Sequence, residues 1–180
     1  ADADAIAPVI AVPTTAGTGS EVGRAGVVIN ETECRKFVAF HPGMLAKVVI
    51  CDPELTIGLP PVLTVGTGID AFSHCLEALC APGYHPMAYG IAIEGCRLVI
   101  EHLPRVVVDP TDIESRGHMM SAAAMGAVAF QKGLGVTHSC AHALSTVCDL
   151  HHGLANGIML PFTFGFNRSA CEDKFKRMSI

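Results

Sequence analysis

The chain has 180 residues, half of them apolar, and a formal net charge of −5. That length suits one domain or one and a half, and the apolar share supplies ample core. No basic block marks a nucleic-acid footprint, and no run of about eighteen apolar residues marks a membrane span. Ala1 to Pro8 lack the positive stretch and apolar segment of a secretory signal, and no initiator Met is present. The start is therefore expected to be processed or cut from a longer chain.

In chain order, the first third reads as short strands and loops. Ala7 to Val12, Gly26 to Ile29 and Lys47 to Cys51 are strand-sized runs rich in Val and Ile. Pro13 to Glu21, PTTAGTGSE, is a small-residue loop between the first two. From about Pro60 the periodicity becomes helical. Ala88, Ile91, Ala92, Gly95, Val99 and Leu103 follow one helix face. Thr111 and Glu114 form a capping box for a next helix through Met119, Met120 and Ala122 to Ala129. Gly133-Leu134-Gly135 breaks it. A further helix contains His138 to Leu144, and another follows His152 and ends before Pro161. Ser169 and Glu172 cap a last one.

The cysteines Cys34, Cys51, Cys75, Cys80, Cys96, Cys140, Cys148 and Cys171 form no C-x-x-C pair, and most have apolar neighbours. Free thiols of a reducing cytosol explain them better than a disulfide framework, so a cytoplasmic location is expected.

Chemistry concentrates in two segments. Asp70 and His74 are four apart, which on a helix places them on one face within reach of a single ion. A carboxylate and an imidazole both suit first-row divalent metals, although a surface Asp–His pair would have the same spacing. Lys132 to Pro161 then holds His138, His142, His151 and His152. Four histidines in apolar company need partners, either a metal or hydrogen bonds within a core. His138 and His142 have helical spacing, but Ser139 stands where a zinc peptidase carries its Glu. Read alone, the PTTAGTGSE loop is a turn. Gly17 and Gly19 open the backbone and the hydroxyls suit phosphate or ribose, yet it fits neither G-x-G-x-x-G nor the Walker pattern.

Taken together, these segments resemble the iron-containing (group III) alcohol dehydrogenases. Gly68, Asp70, Ala71, His74 and Glu77 match G-x-D-A-x-x-H-x-x-E. Gly133, Leu134, Gly135, His138, Ala141, His142 and Leu144 match G-L-G-x-x-H-x-x-A-H-x-L. His152, Gly153, Asn156, Leu160 and Pro161 match H-G-x-x-N-x-x-x-L-P. The resemblance runs from about Pro8 to Pro161. It implies metal ligands at Asp70, His74, His138 and His152, with His142 beside the nicotinamide and reacting carbonyl as a catalytic residue. It makes PTTAGTGSE a cofactor loop in which Thr14, Thr15 and Thr18 touch the dinucleotide, joined by Lys36. It also implies a mainly α, multi-helical metal-binding domain at 59–180, preceded at 1–58 by short strands left from an α/β dinucleotide-binding domain.

The activity implied is reversible hydride transfer between NAD(P) and a short-chain alcohol or aldehyde, with Fe2+ or Zn2+ as Lewis acid. No nucleic-acid or membrane partner is expected, and the oligomer expected is a homodimer. The sequence departs from the family at His151, where Pro is usual, at Ser145, where Gly is usual, and at Gly23, where Thr or Ser often reaches the cofactor. The family's N-terminal βαβ units with their G-G-G-S loop, and the helices after the last motif, have no counterpart here, so the chain looks like an internal fragment. A mononuclear zinc hydrolase or lyase, or a non-catalytic helical module with structural histidines, are the alternatives.

Overall fold

Prolines punctuate the helical part. Pro60 and Pro61 open α1 (Pro61–Cys80), and Pro86 opens α2 (Pro86–Val108), positions where the missing N–H is no loss. The computed structural model describes residues 6–32 and 35–178, without the side chains of residues 29, 35 and 36. Three more helices follow: α3 (Ile113–Ala129), α4 (Val136–Val147) and α5 (His152–Lys176). Ahead of them lie four short strands, β1 (Ile10–Ala11), β2 (Ala25–Asn30), β3 (Arg35–Phe40) and β4 (Val48–Val49). β1 pairs parallel to β4, with Ile10 opposite Val48, and β2 pairs antiparallel to β3, with Ala25 opposite Phe40. The fold is thus mainly α behind short strands, as expected from the sequence. β3 is an addition to that reading.

α1 is the axis of the helical part, packed against α2, α3 and α5, while α4 packs on α5. One core cluster gathers Ala71, Leu98, Val99, Leu103, Val106, Met119, Ala122 and Ala123. A second gathers Cys75, Leu76, Ala78, Leu79, Ala92, Cys96 and Ala129. Lys132 and Lys174 donate to carbonyls at the end of α1, those of Ala78 and Cys80, and to that of Ala81 just beyond it. Cations there answer the negative end of the helix dipole. The strands have no comparable core: Val27, Val28, Val38 and Phe40 are exposed. Among the described residues every cysteine is a free thiol, and no helix is long and apolar enough to cross a membrane. Cys34 lies outside the described residues.

Three expected helix boundaries are corrected. Thr111 and Glu114 do not cap α3. Asp112 does, accepting from the Ser115 N–H at 2.9 Å, while Thr111 bonds to Asp109. The Asp112 carboxylate reaches back to the first turn of its own helix, which makes it a strong N-cap. α5 does not end before Pro161, nor does a new helix start at Ser169. It runs unbroken through both. A proline costs one backbone hydrogen bond, but packing of α5 along α1 and α4 holds the helix together. Thr163 Oγ1 donates to the Met159 and Leu160 carbonyls in the same turn.

Candidate metal centre

Helical spacing on α1 sets the first wall of the site. Asp70, His74 and Glu77 lie at i, i+4 and i+7, on one face of a helix that is buried through most of its length. Asp70 and His74 are each 4% exposed and Glu77 is 2% exposed. α4 supplies His138, buried in its first turn, and His142 one turn later and exposed. The link from α4 to α5 turns through Asp149, whose φ of 51° lies in the left-handed region that Asp tolerates. α5 then begins at His152. Its next residue, Gly153, presses so closely on the Gly66 carbonyl of α1 that a Cβ there has no room. That close approach brings the His152 ring to Asp70.

Three imidazole nitrogens converge on one carboxylate oxygen. Asp70 Oδ1 is 3.8 Å from His74 Nε2, 3.5 Å from His138 Nε2 and 3.4 Å from His152 Nε2. Ligands about 2.1 Å from a tetrahedral metal stand about 3.4 Å apart, so these separations suit one small ion. Asp70, His138 and His152 offer ligand atoms within 4.8 Å of one another. His74 falls outside that mutual set, held beside it by Asp70 and by stacking on His138, with ring centroids 4.5 Å apart. Asn156, fully buried, donates to Asp70 Oδ1 at 2.7 Å and faces the Nε2 atoms of His152 and His138 at 3.2 and 3.4 Å.

The electrostatics fit a divalent cation. Burial opposes the charge on Asp70, but the surrounding imidazoles outweigh it and hold its pKa below the ordinary carboxylate value. Glu77 is lowered in the same way by its bonds to His138, Gly135 and Thr137. Burial, aided by His138 and His152, pushes His74 down to about 4 against the pull of Asp70, and burial also lowers His152. Both are therefore neutral and able to ligate at neutral pH. His138 differs: burial disfavours its charge, yet Asp70 and Glu77 override this and raise it to about 9. Its proton stands between two buried carboxylates whose two negative charges a divalent ion would balance. The residues present thus fit a first-row divalent metal.

The remaining candidates divide. His142 stacks against His152 at 4.9 Å between ring centroids, on the exposed side of the cluster. Thr14 and Thr18 are exposed and Thr15 half-buried. Their loop is pressed onto α1 at Gly17 and onto α3 at Gly19. The Gly17 backbone acts on the His74 ring, so the loop borders the cluster. Lys36 lies on β3, and its side chain lies outside the described residues. Glu77 and Asn156 stand in the sequence motifs, but sequence reasoning gave neither a role. A signal existed for Glu77: it is one of two carboxylates in the mostly apolar α1, and a buried carboxylate needs partners.

The match to known proteins decides the family. Residues 64–180 match the model of the Fe-containing alcohol dehydrogenase family, C-terminal, and residues 1–53 match that of iron-containing alcohol dehydrogenase. The chain belongs to the iron-containing alcohol dehydrogenase family. It is 44% identical to a 4-hydroxybutyrate dehydrogenase of Cupriavidus necator, over 97% of this chain and 48% of that protein. It is 38% identical to an NAD-dependent methanol dehydrogenase of Bacillus methanolicus, over 97% of this chain and 46% of the relative. A crystal structure of 1,3-propanediol oxidoreductase superposes with a TM-score of 0.91 at 37% identity, covering 95% of this chain and 45% of that one. A sulfoacetaldehyde reductase from Bifidobacterium kashiwanohense, solved with NAD+, gives 0.85 at 35% identity, over 89% and 43%. The chain spans about half the length of the curated relatives it matches.

Proposed function

We propose that the protein carrying this chain is a metal-dependent oxidoreductase that moves hydride between NAD(P) and a short-chain alcohol or aldehyde. In this reading Asp70, His74, His138 and His152 hold one Fe2+ or Zn2+. The observation that carries it is the convergence of three imidazole nitrogens on Asp70 Oδ1 at 3.4–3.8 Å. The relatives' names, dehydrogenases of 4-hydroxybutyrate, methanol and 1,3-propanediol, favour a small hydroxyl compound as substrate. A division near residue 58, with the dinucleotide-binding remnant before it, agrees with the start of the first long helix at Pro61.

The chain's own residues then have separate tasks. Asp70 brings negative charge, His74 and His152 present neutral nitrogens, and His138 would do so on releasing its Nε2 proton as an ion binds. A bound divalent ion supplies Lewis acidity toward a substrate oxygen. His142, on the exposed side, accepts or returns the hydroxyl proton at a ring nitrogen. Thr14, Thr15 and Thr18 offer hydroxyls to the dinucleotide from a loop that borders His74. A hydrolase would need a carboxylate base turned toward substrate. The Glu77 carboxylate instead faces Thr137 and His138, which disfavours that alternative.

The test is oxidation of NADH or NADPH with propanal, by protein first stripped with a chelator. Activity should be absent after stripping and return with ferrous or zinc ion. Full activity at undetectable metal would overturn the reading.

A further inference from the structure

The geometry points to Glu77 as a positioning residue that selects which nitrogen of His138 faces the metal. This rests on the metal-centre reading above. α4 starts after Gly135, which has no side chain to cap it. Glu77 supplies the cap from another helix. Its Oε1 accepts from the Thr137 N–H at 2.6 Å and its Oε2 from the His138 N–H at 3.3 Å. A carboxylate suits the positive end of a helix. The closeness is permitted by Gly135, where a Cβ would stand 2.9 Å from Glu77 Oε1.

The same carboxylate meets the His138 ring, with Oε2 at 2.6 Å from Nδ1. An ionised carboxylate only accepts, so Nδ1 must carry hydrogen. The Nε2 lone pair is then the one available to a metal, on the Asp70 side. A hydrogen bond at the far nitrogen of a ligating histidine fixes both its ring and its tautomer. Here one side chain fixes ring, tautomer and helix start together, tying α4 to α1 before any ion arrives.

Glu77→Gln separates this role from plain capping. The site asks for two acceptors, one for the Thr137 N–H and one for the His138 Nδ1–H. An amide has one acceptor end and one donor end, so it satisfies only one of them. Zinc affinity, measured by competition with a chromophoric chelator, should fall about 10- to 100-fold, with helix content by circular dichroism retained. Leu79→Ala, a core change on the same helix, is the control for general destabilisation and should leave zinc affinity unchanged. Equal loss in both variants, or none in Glu77→Gln, would overturn the proposal. Wild-type protein that binds no zinc would instead overturn the metal-centre reading. If Glu77→Gln fails to fold, the zinc-loaded wild type decides. A low-field proton resonance on His138 Nδ1 supports the assignment, and zinc bound through Nδ1 overturns it.

Discussion

The candidate metal centre has two unlike walls. One is built by α1 and the first turn of α4, where Asp70, His74, Glu77 and His138 are all at most 4% exposed. The other is built by the second turn of α4 and the start of α5, where His142 and His151 are exposed and His152 is half-buried. On the closed wall three side chains have fixed hydrogen-bond partners: Glu77 the Thr137 N–H, His138 the Glu77 carboxylate and Asp70 the Asn156 amide. On the open wall His142 stacks on His152, and His152 alone of the two reaches across to Asp70 and Asn156 through Nε2. One residue type thus meets two environments. Buried imidazoles are held at fixed geometry, as an ion requires. Exposed ones face solvent; under the proposed function that is the side from which a substrate would reach an open metal position.

The largest expected effect that separates the walls is in pH. The pKa of His138, raised to about 9, contributes stability that is complete below the unfolded value of about 6.5 and lost as pH rises through about 9. That of His74, lowered to about 4, works the other way: stability is lost as pH falls from about 6.5 toward 4. Metal-free protein should therefore be most stable near neutrality. The alkaline loss should be on the order of 3 kcal/mol, the worth of raising the ring from about 6.5 to about 9. Urea unfolding of chelator-treated protein across that range checks this. His138→Ala should flatten the alkaline limb and His142→Ala should not. An alkaline limb that is flat in the wild type would break the contrast.

On the open wall, His142→Ala should keep the metal and lose turnover by a factor on the order of a hundred, the scale of acid–base catalysis. Metal analysis and aldehyde reduction on one preparation check it. Loss of metal in step with activity would make His142 a ligand, and full activity would make it a bystander. A smaller effect belongs to the loop bordering His74. Changing Thr14, Thr15 or Thr18 to Ala should raise the Michaelis constant for NAD(P) by about three- to tenfold, the worth of one hydrogen bond. Metal content should not change. Unaltered constants in all three variants would return the loop to a plain turn.

How much of this was legible depended on how locally each feature is encoded. The four-residue spacing of Asp70 and His74 is visible in the sequence but fits a surface pair equally well, whereas α5 starts where expected, at His152. The proposed ligand set as a whole came from the family motifs. What escaped was set by distant partners. Glu77 caps a helix 60 positions away, which no local pattern contains. Asn156 meets Asp70 across 86 positions. Pro161 reads as a stop, but packing along α1 and α4 carries α5 through it. At the start of α3, two adjacent residues could both cap, and the side chain that reaches the first turn is Asp112 rather than Thr111.

The central claim is that Asp70, His74, His138 and His152 hold one divalent ion. Elemental analysis of the purified protein and its variants tests it most directly. The wild type and His41→Ala should each carry close to one metal per chain, since the His41 ring accepts from the Gly43 N–H in its own turn. His138→Ala and His152→Ala should carry almost none. Equal metal in all four proteins would contradict the ligand assignment.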